Sequence, residues 1–405
     1  MYFWATNFVY MREKLQLNPE ETFILLAADI KPDKTILNRL DELIPTIRDW
    51  EVFTKMAIDR AAAPLIVDKL SKLSNTGLFP DKVLRNLKQA SLRTLTRNML
   101  LTEHFRQVVR AFTEAGIPVI ALKGSMLSEW LYGNINLRQF SDLDLLVPQE
   151  KGLDAVAVLD KMGYVHDNLI MSEFIKENSS IVHYKPMVKN GVSVEIHIRI
   201  HSETEPYQVD LQDMWQHAVP LKLHGVEALG FCPEDLLLHL CLHLDKHVIV
   251  GQFQFTCLYD LVNLLNHKGE RLNWDLFEKK CIQAKAVFVT YKYLLLVQKY
   301  MNGKLPASVA SKYANLLEPK DERIFFGVLR GKGSHLMTSS LMKSVGSFES
   351  HGKQFRYMFE LFFPSVEFMM KRYRLKNKSQ LLIYYPYRHL RGLKDVWITI
   401  KKALS

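Results

Sequence analysis

Cysteine is scarce in this chain: Cys232, Cys241, Cys257 and Cys281 are the only four among 405 residues. They stand in apolar settings without paired spacing, so a disulfide framework is excluded and reduced core thiols are expected. Long apolar runs are also missing. No stretch approaches about eighteen uncharged apolar residues, which excludes a membrane-spanning helix. Met1 to Met11 is aromatic and uncharged and lacks the basic start of an export signal, so a cytoplasmic protein is expected. There is no internal repeat and no low-complexity tract. Acidic residues nearly vanish from the C-terminal end. Between Lys371 and Ser405 ten Lys/Arg face a single Asp395, a net +9 out of +10 for the whole chain. The remaining residues are therefore close to neutral, and the basic character is a local patch. Tyr373, Tyr384, Tyr385, Tyr387 and Trp397 interleave with it. Such a patch suits nucleic acid, nucleotide phosphates or an anionic membrane surface, and also the solvated face of an amphipathic helix.

What the sequence does contain is an ordinary globular balance, 48% hydrophobic and 24% charged. That supports a large core or two to three packed units. Residues 17–112 carry helical spacing, as in Leu101, Phe105, Val108, Val109 and Phe112. A second amphipathic run covers Asp49 to Leu70, and Gly116 is placed to end the long helix. The period then changes. Ile117 to Leu122 reads as a short buried strand, Lys123-Gly124-Ser125 as a turn, and Met126 to Tyr132 as a helix. A loop with Arg138 leads to a strand over Asp142 to Val147, and Lys151 to Met162 is helical. His183–Val188 and Val192–Ile200 flank Asn190-Gly191, a dipeptide suited to the type I′ hairpin turn. From Pro233 onward helices return, over Leu236–His247, Phe255–Leu265 and Phe277–Met301. The expected class is α+β: a small mixed sheet with helices, flanked by helical regions. The expected divisions are an N-terminal helical region over 1–112, a catalytic core over 113–225, and a C-terminal helical region with a basic tail over 226–405.

Asp142 and Asp144 lie two apart on a strand and so share one face, with Leu143, Leu145 and Val147 on the other. Adjacent like charges repel, and a cation or solvent must relieve them. Mg²⁺ suits hard oxygen donors shared between carboxylates and phosphates. Glu195, on the polar face of the hairpin's second strand, is the expected third carboxylate. Asp142, Asp144 and Glu195 are thus the expected metal ligands of a two-metal site, Mg²⁺ first and Mn²⁺ as the alternative, with Glu195 also placed to act as general base. Gly124 and Ser125 offer backbone N–H groups and a hydroxyl to phosphates at a helix start. Lys123 and Arg138 would neutralise the pyrophosphate leaving group. His197 would orient Glu195 or contact a phosphate.

In this order the residues resemble the DNA polymerase β-like nucleotidyltransferase superfamily: Gly-Ser, then Asp-x-Asp, then a carboxylate on a later strand. The wording is closer still to its bacterial branch of uncharacterised nucleotidyltransferases. The matching pieces are Leu122-Lys123-Gly124, Leu131-Tyr132, Arg138, Asp142 to Val147 and Glu195-Ile196-His197. Asp49-Trp50, Leu240 to His243, Tyr259 to Leu261 and Phe363 to Ser365 resemble its flanking regions. Glu195 stands where the wider superfamily commonly has Asp. The resemblance implies an enzyme that moves an NMP from an NTP to an acceptor hydroxyl and releases pyrophosphate. The acceptor would be a small molecule, a natural-product intermediate or a protein. Two alternatives stand beside it: the same chemistry on RNA, such as a tRNA end, met through the basic C-terminal segment, and a non-catalytic nucleotide-binding scaffold. His239, His243 and His247, four apart on one helix, form either a metal-binding face or a polar seam toward the cleft or the core.

Overall fold

Capping residues and helix stops account for the first third of the chain. The computed structural model describes residues 15–166, 182–201, 206–249, 253–331 and part of 352–390. The expectations for Met1 to Met11 and for the basic residues after 390 lie outside that range. Helix α1 (Pro19–Leu26) opens with a reciprocal capping box between Asn18 and Glu21. Asp33 caps α2 (Lys34–Leu43), and Asp49 caps α3 (Trp50–Asp59). The run expected from Asp49 to Leu70 is two helices. Ala61 takes a left-handed φ of 55°, which ends α3 and lets α4 (Ala63–Lys69) start on Pro64.

Helix α5 (Asp81–Glu114) has 34 residues and buries Leu101, Phe105, Val108, Val109 and Phe112 as one stripe. Gly116, at φ 65°, closes it as anticipated. Its N–H donates to Thr113 O at 3.0 Å and that of Ile117 to Phe112 O at 2.8 Å, which together satisfy two orphan carbonyls. Two short helices follow, α6 (Gly124–Trp130) and α7 (Gly152–Lys161).

Seven strands make one mixed sheet in the order β3-β4-β5-β2-β1-β7-β6. They are β1 (Ile120–Ala121), β2 (Asp142–Leu146), β3 (Val165–His166), β4 (Met187–Lys189), β5 (Val192–His197), β6 (Val219–Leu223) and β7 (Val226–Gly230). The β4–β5 hairpin turns at Asn190 and Gly191 with φ of 52° and 73°, the pair of positive values a type I′ turn requires. Strand β2 is antiparallel to β1 and parallel to β5. Its parallel register sets Asp144 opposite Glu195 and Asp142 opposite Ser193. The β6–β7 hairpin was not anticipated. It turns on His224-Gly225, at φ of 50° and 81°, and its strand β6 carries Pro220 at the sheet edge, where a missing N–H costs no ladder bond. The division expected between 225 and 226 runs through this hairpin.

Helices α8 (Leu211–Gln216), α9 (Pro233–Ile249), α10 (Phe255–Lys268), α11 (Trp274–Gln283), α12 (Val287–Met301), α13 (Ala307–Tyr313) and α14 (Pro319–Leu329) follow. The single helix expected over Phe277–Met301 is split, because Lys285 takes φ 55° between α11 and α12. One continuous apolar core runs from Phe23 in α1 to Leu329 in α14. The two helical regions meet directly: Asn263 accepts from Ile30 N and donates to Ala28 O, both at 2.9 Å. Arg330 holds Glu21 through two bonds of 2.7 and 3.0 Å. A small separate cluster of Phe368, Met369, Leu375 and Leu381 forms around α15 (Val366–Arg372). Cys241, Cys257 and Cys281 are buried and all four thiols are free, as their spacing implied. Among the described residues no helix is long and apolar enough to cross a membrane.

Candidate active site

The alternation along β2 sends Leu143 and Leu145 into the core and leaves Asp142 and Asp144 on the opposite face. The parallel neighbour β5 places Glu195 and His197 on that same face. One ligand atom from each of Asp144, Glu195 and His197 lies within 4.8 Å of the others. His197 Nε2 is 2.9 Å from Asp144 Oδ1 and 3.7 Å from Glu195 Oε2. Behind Glu195 stands His183, its Nδ1 at 3.8 Å.

Lys123, the last residue before α6, reaches across to Asp144 Oδ2 at 3.1 Å. Its Nζ is also 3.2 Å from His243 Nε2, and His243 in turn lies 2.9 Å from His247 Nε2. The seam of histidines on α9 therefore faces the carboxylate strand, one of the two readings open from spacing alone. His239 stacks on His243 at a ring separation of 5.9 Å.

The electrostatics follow from three carboxylates around one ammonium. Burial pushes the Asp142 carboxyl up, and the charge on Asp144 pushes it further. Glu195 is raised by the same two causes. Burial would raise Asp144 too, but Lys123 and the His197 hydrogen bond outweigh it and hold Asp144 well below the usual range. Lys123 is largely withdrawn from solvent, yet Asp144 and Asp142 keep its ammonium above its ordinary value. Two carboxyls driven up by a neighbour's charge mark a place that lacks positive charge. Their hard oxygen donors fit a divalent cation.

Gly124 sits at φ 21°, and a Cβ there would lie 3.2 Å from the Phe140 ring and 3.4 Å from Asp142 O. The turn passes so close to the start of β2 that only glycine fits without strain. Ser125 is buried on α6, where its carbonyl accepts from His224 Nε2 at 2.9 Å. Arg138 has a different partner from the one its position suggested. Its Nε and an Nη donate to Asp260 at 2.7 and 2.6 Å inside the core, and Tyr132 adds a third bond at 3.0 Å. The Arg138 charge still reaches Asp142 and offsets a small part of its rise.

The structure thus gathers Asp142, Asp144, Glu195, His197 and Lys123, sets Gly124 beside them, and occupies Arg138 elsewhere. Sequence reasoning missed the Lys123–His243 contact, the placement of His183, and Arg97. An Nη of Arg97 donates to Ser141 O and Gly191 O, both at 3.0 Å, which ties the start of β2 to the β4–β5 turn. The four-residue histidine spacing on α9 was the available signal for the first of these.

The seam gives a pH prediction. Burial, reinforced by the Lys123 charge, lowers His247 to about 4 and holds His239 and His243 well below their ordinary value of 6.5. In that window the unfolded chain binds protons that the native state does not, so stability rises with pH and is lost on acidification from 6.5 toward 4. His247→Gln is expected to flatten this part of the curve of melting temperature against pH. Parallel curves for the two proteins would refute the assignment.

Comparison with curated proteins and with solved structures yields no match. Residues 46–302, more than half of the chain, match the model of a family described as uncharacterised nucleotidyltransferase, and the chain belongs to that family.

Proposed function

We propose that this chain transfers a nucleoside monophosphate from an NTP to an acceptor hydroxyl on the Asp142–Asp144–Glu195 face. The observation that carries the reading is the parallel register of β2 and β5, which sets Glu195 opposite Asp144. Asp142, Asp144 and Glu195 would hold the divalent cations, with Mg²⁺ as the ordinary choice for oxygen donors. Such cations supply positive charge to the triphosphate and acidify the attacking hydroxyl.

The chain's own residues supply the rest. Lys123 lies between Asp144 and His243, so its ammonium is positioned to meet charge that develops on the pyrophosphate. Gly124 lets the turn pass close to β2, and its backbone N–H would be offered to a phosphate oxygen. The acceptor oxygen bonds to the α-phosphorus, the bond to pyrophosphate breaks, and Glu195 takes the hydroxyl proton. Glu195 stands across the ladder from Asp144, beside the place where the cation would acidify that hydroxyl. The intact carboxylate set weighs against a non-catalytic scaffold. Incubation with labelled NTP, divalent cation and a cell extract tests the reading, and a labelled product that depends on Asp142 supports it.

The acceptor is proposed to be a small molecule, a natural-product intermediate or a protein side chain. RNA is the second reading, favoured by the +9 charge of 371–405 and its tyrosines. If RNA is the acceptor, log–log plots of its affinity against salt are expected to be steep. Replacing Lys371, Arg372 and Arg374 by Gln should then reduce the slope by about 2. Salt-insensitive binding removes this reading.

A further inference from the structure

We propose that His197 is itself a metal ligand, so that this site takes a nitrogen-accepting divalent cation such as Mn²⁺ in preference to Mg²⁺. The inference rests on the proposed metal role of Asp144 and Glu195 and adds the donor that sets the ion's identity.

Three features of the geometry carry it. First, the ligand atoms of Asp144, Glu195 and His197 form one set within 4.8 Å, two oxygens and one imidazole nitrogen. Among the described residues this is the one such group of three. Second, the two oxygens of Asp144 serve different partners: Oδ2 meets Lys123 at 3.1 Å, whereas Oδ1 faces His197 at 2.9 Å. A cation between Oδ1, Glu195 and His197 therefore leaves the lysine ion pair intact. Third, His197 is 8% exposed and aims Nε2 at both carboxylates. In the ion-free protein Nε2–H donates to Asp144 Oδ1, and Nδ1 is buried without a hydrogen-bond partner among the described residues. A cation at this place takes the position of the Nε2 proton, which moves to Nδ1 and frees the lone pair.

The choice of ion follows from donor chemistry. Mg²⁺ favours oxygen and gives up its water reluctantly. Imidazole nitrogen shifts a mixed site toward first-row transition ions, and two carboxylates with one histidine suit Mn²⁺. Strand geometry makes the set rigid. Glu195 and His197 are two apart on β5, and Asp144 is directly across the ladder.

The test uses the full chain and Mn²⁺ alone. Mn²⁺ binding is followed by electron paramagnetic resonance, Mg²⁺ affinity by competition, and the ligand by the nitrogen-14 coupling in the pulsed spectrum. Wild type is expected to bind Mn²⁺ at least ~10-fold more tightly than Mg²⁺ and to show nitrogen coupling. His197→Gln should abolish the coupling and weaken Mn²⁺ about 10-fold or more while Mg²⁺ changes far less. His183→Gln should keep the coupling, which identifies the nitrogen. Bound Mn²⁺ without nitrogen coupling in wild type overturns the inference even if the variant fails to fold. So does an unchanged Mn²⁺/Mg²⁺ ratio in folded His197→Gln. In either case Asp144 and Glu195 remain the proposed ligands. If wild type binds neither ion, the proposed metal role falls together with this inference.

Discussion

Replacing Asp142 by Asn is expected to reduce labelled nucleotidyl transfer by about 10³-fold or more while the protein stays folded. The two halves of this expectation have one cause. Asp142 is half-buried, and its carboxyl is raised by burial and by the Asp144 charge, so its charge is held less favourably than in the unfolded chain. The neutral amide relieves that repulsion, and urea unfolding should show equal or slightly greater stability. The same charge that the fold tolerates poorly is the one the chemistry needs. Asp144→Asn should differ. Transfer is again lost, but Asp144 offsets the Lys123 ammonium at 3.1 Å, and both side chains are mostly buried. An uncompensated lysine costs about 3 kcal/mol. The double variant Asp144→Asn with Lys123→Met should recover most of that stability and none of the activity. Wild-type turnover in a folded Asp142→Asn protein would end the catalytic proposal.

How much of this was legible in the chain depends on how far each signal reaches. The shared face of Asp142 and Asp144 follows from a two-residue period and nothing else. The turn at Asn190-Gly191 needs only residues that tolerate positive φ, so local chemistry settled it. The partnership of Glu195 with Asp144 required a pairing between β2 and β5, which the motif order suggested and periodicity alone could not. Contacts between distant segments were out of reach. Lys123 and His243 are 120 residues apart, and the histidine spacing marks a face of α9 without saying which residue it meets. The β6–β7 hairpin escaped for the opposite reason: His224-Gly225 is a weaker turn signal than Asn-Gly, and Pro220 speaks against a strand anywhere but an edge. The break at Lys285 carries neither glycine nor proline, so that helix boundary had no local marker, whereas Pro64 was the one sign of the break at Ala61.

Arg138 shows where motif position and packing part company, and it gives the largest stability prediction. Its guanidinium is 6% exposed and forks onto Asp260, which is fully buried and 122 residues away. Tyr132 completes the carboxylate's hydrogen bonding. Asp260→Ala leaves a buried guanidinium without its counter-ion, and the expected loss in urea unfolding is about 3–5 kcal/mol. Arg138→Ala should cost a similar amount, because it strands the carboxylate instead. Arg138→Lys should recover little, since one ammonium cannot replace two parallel N–H bonds. The paired change Arg138→Met with Asp260→Leu removes both charges together and is expected to restore most of the stability. That double variant also separates two roles. If Arg138 acts through packing, which its bonds to Asp260 favour, the stable double variant keeps nucleotidyl transfer within about 10-fold of wild type, since the lost contact is not made to the transition state. If Arg138 leaves Asp260 to hold the leaving pyrophosphate, the double variant folds but loses transfer by 10²-fold or more. Labelled transfer measured beside the unfolding curve distinguishes the two outcomes.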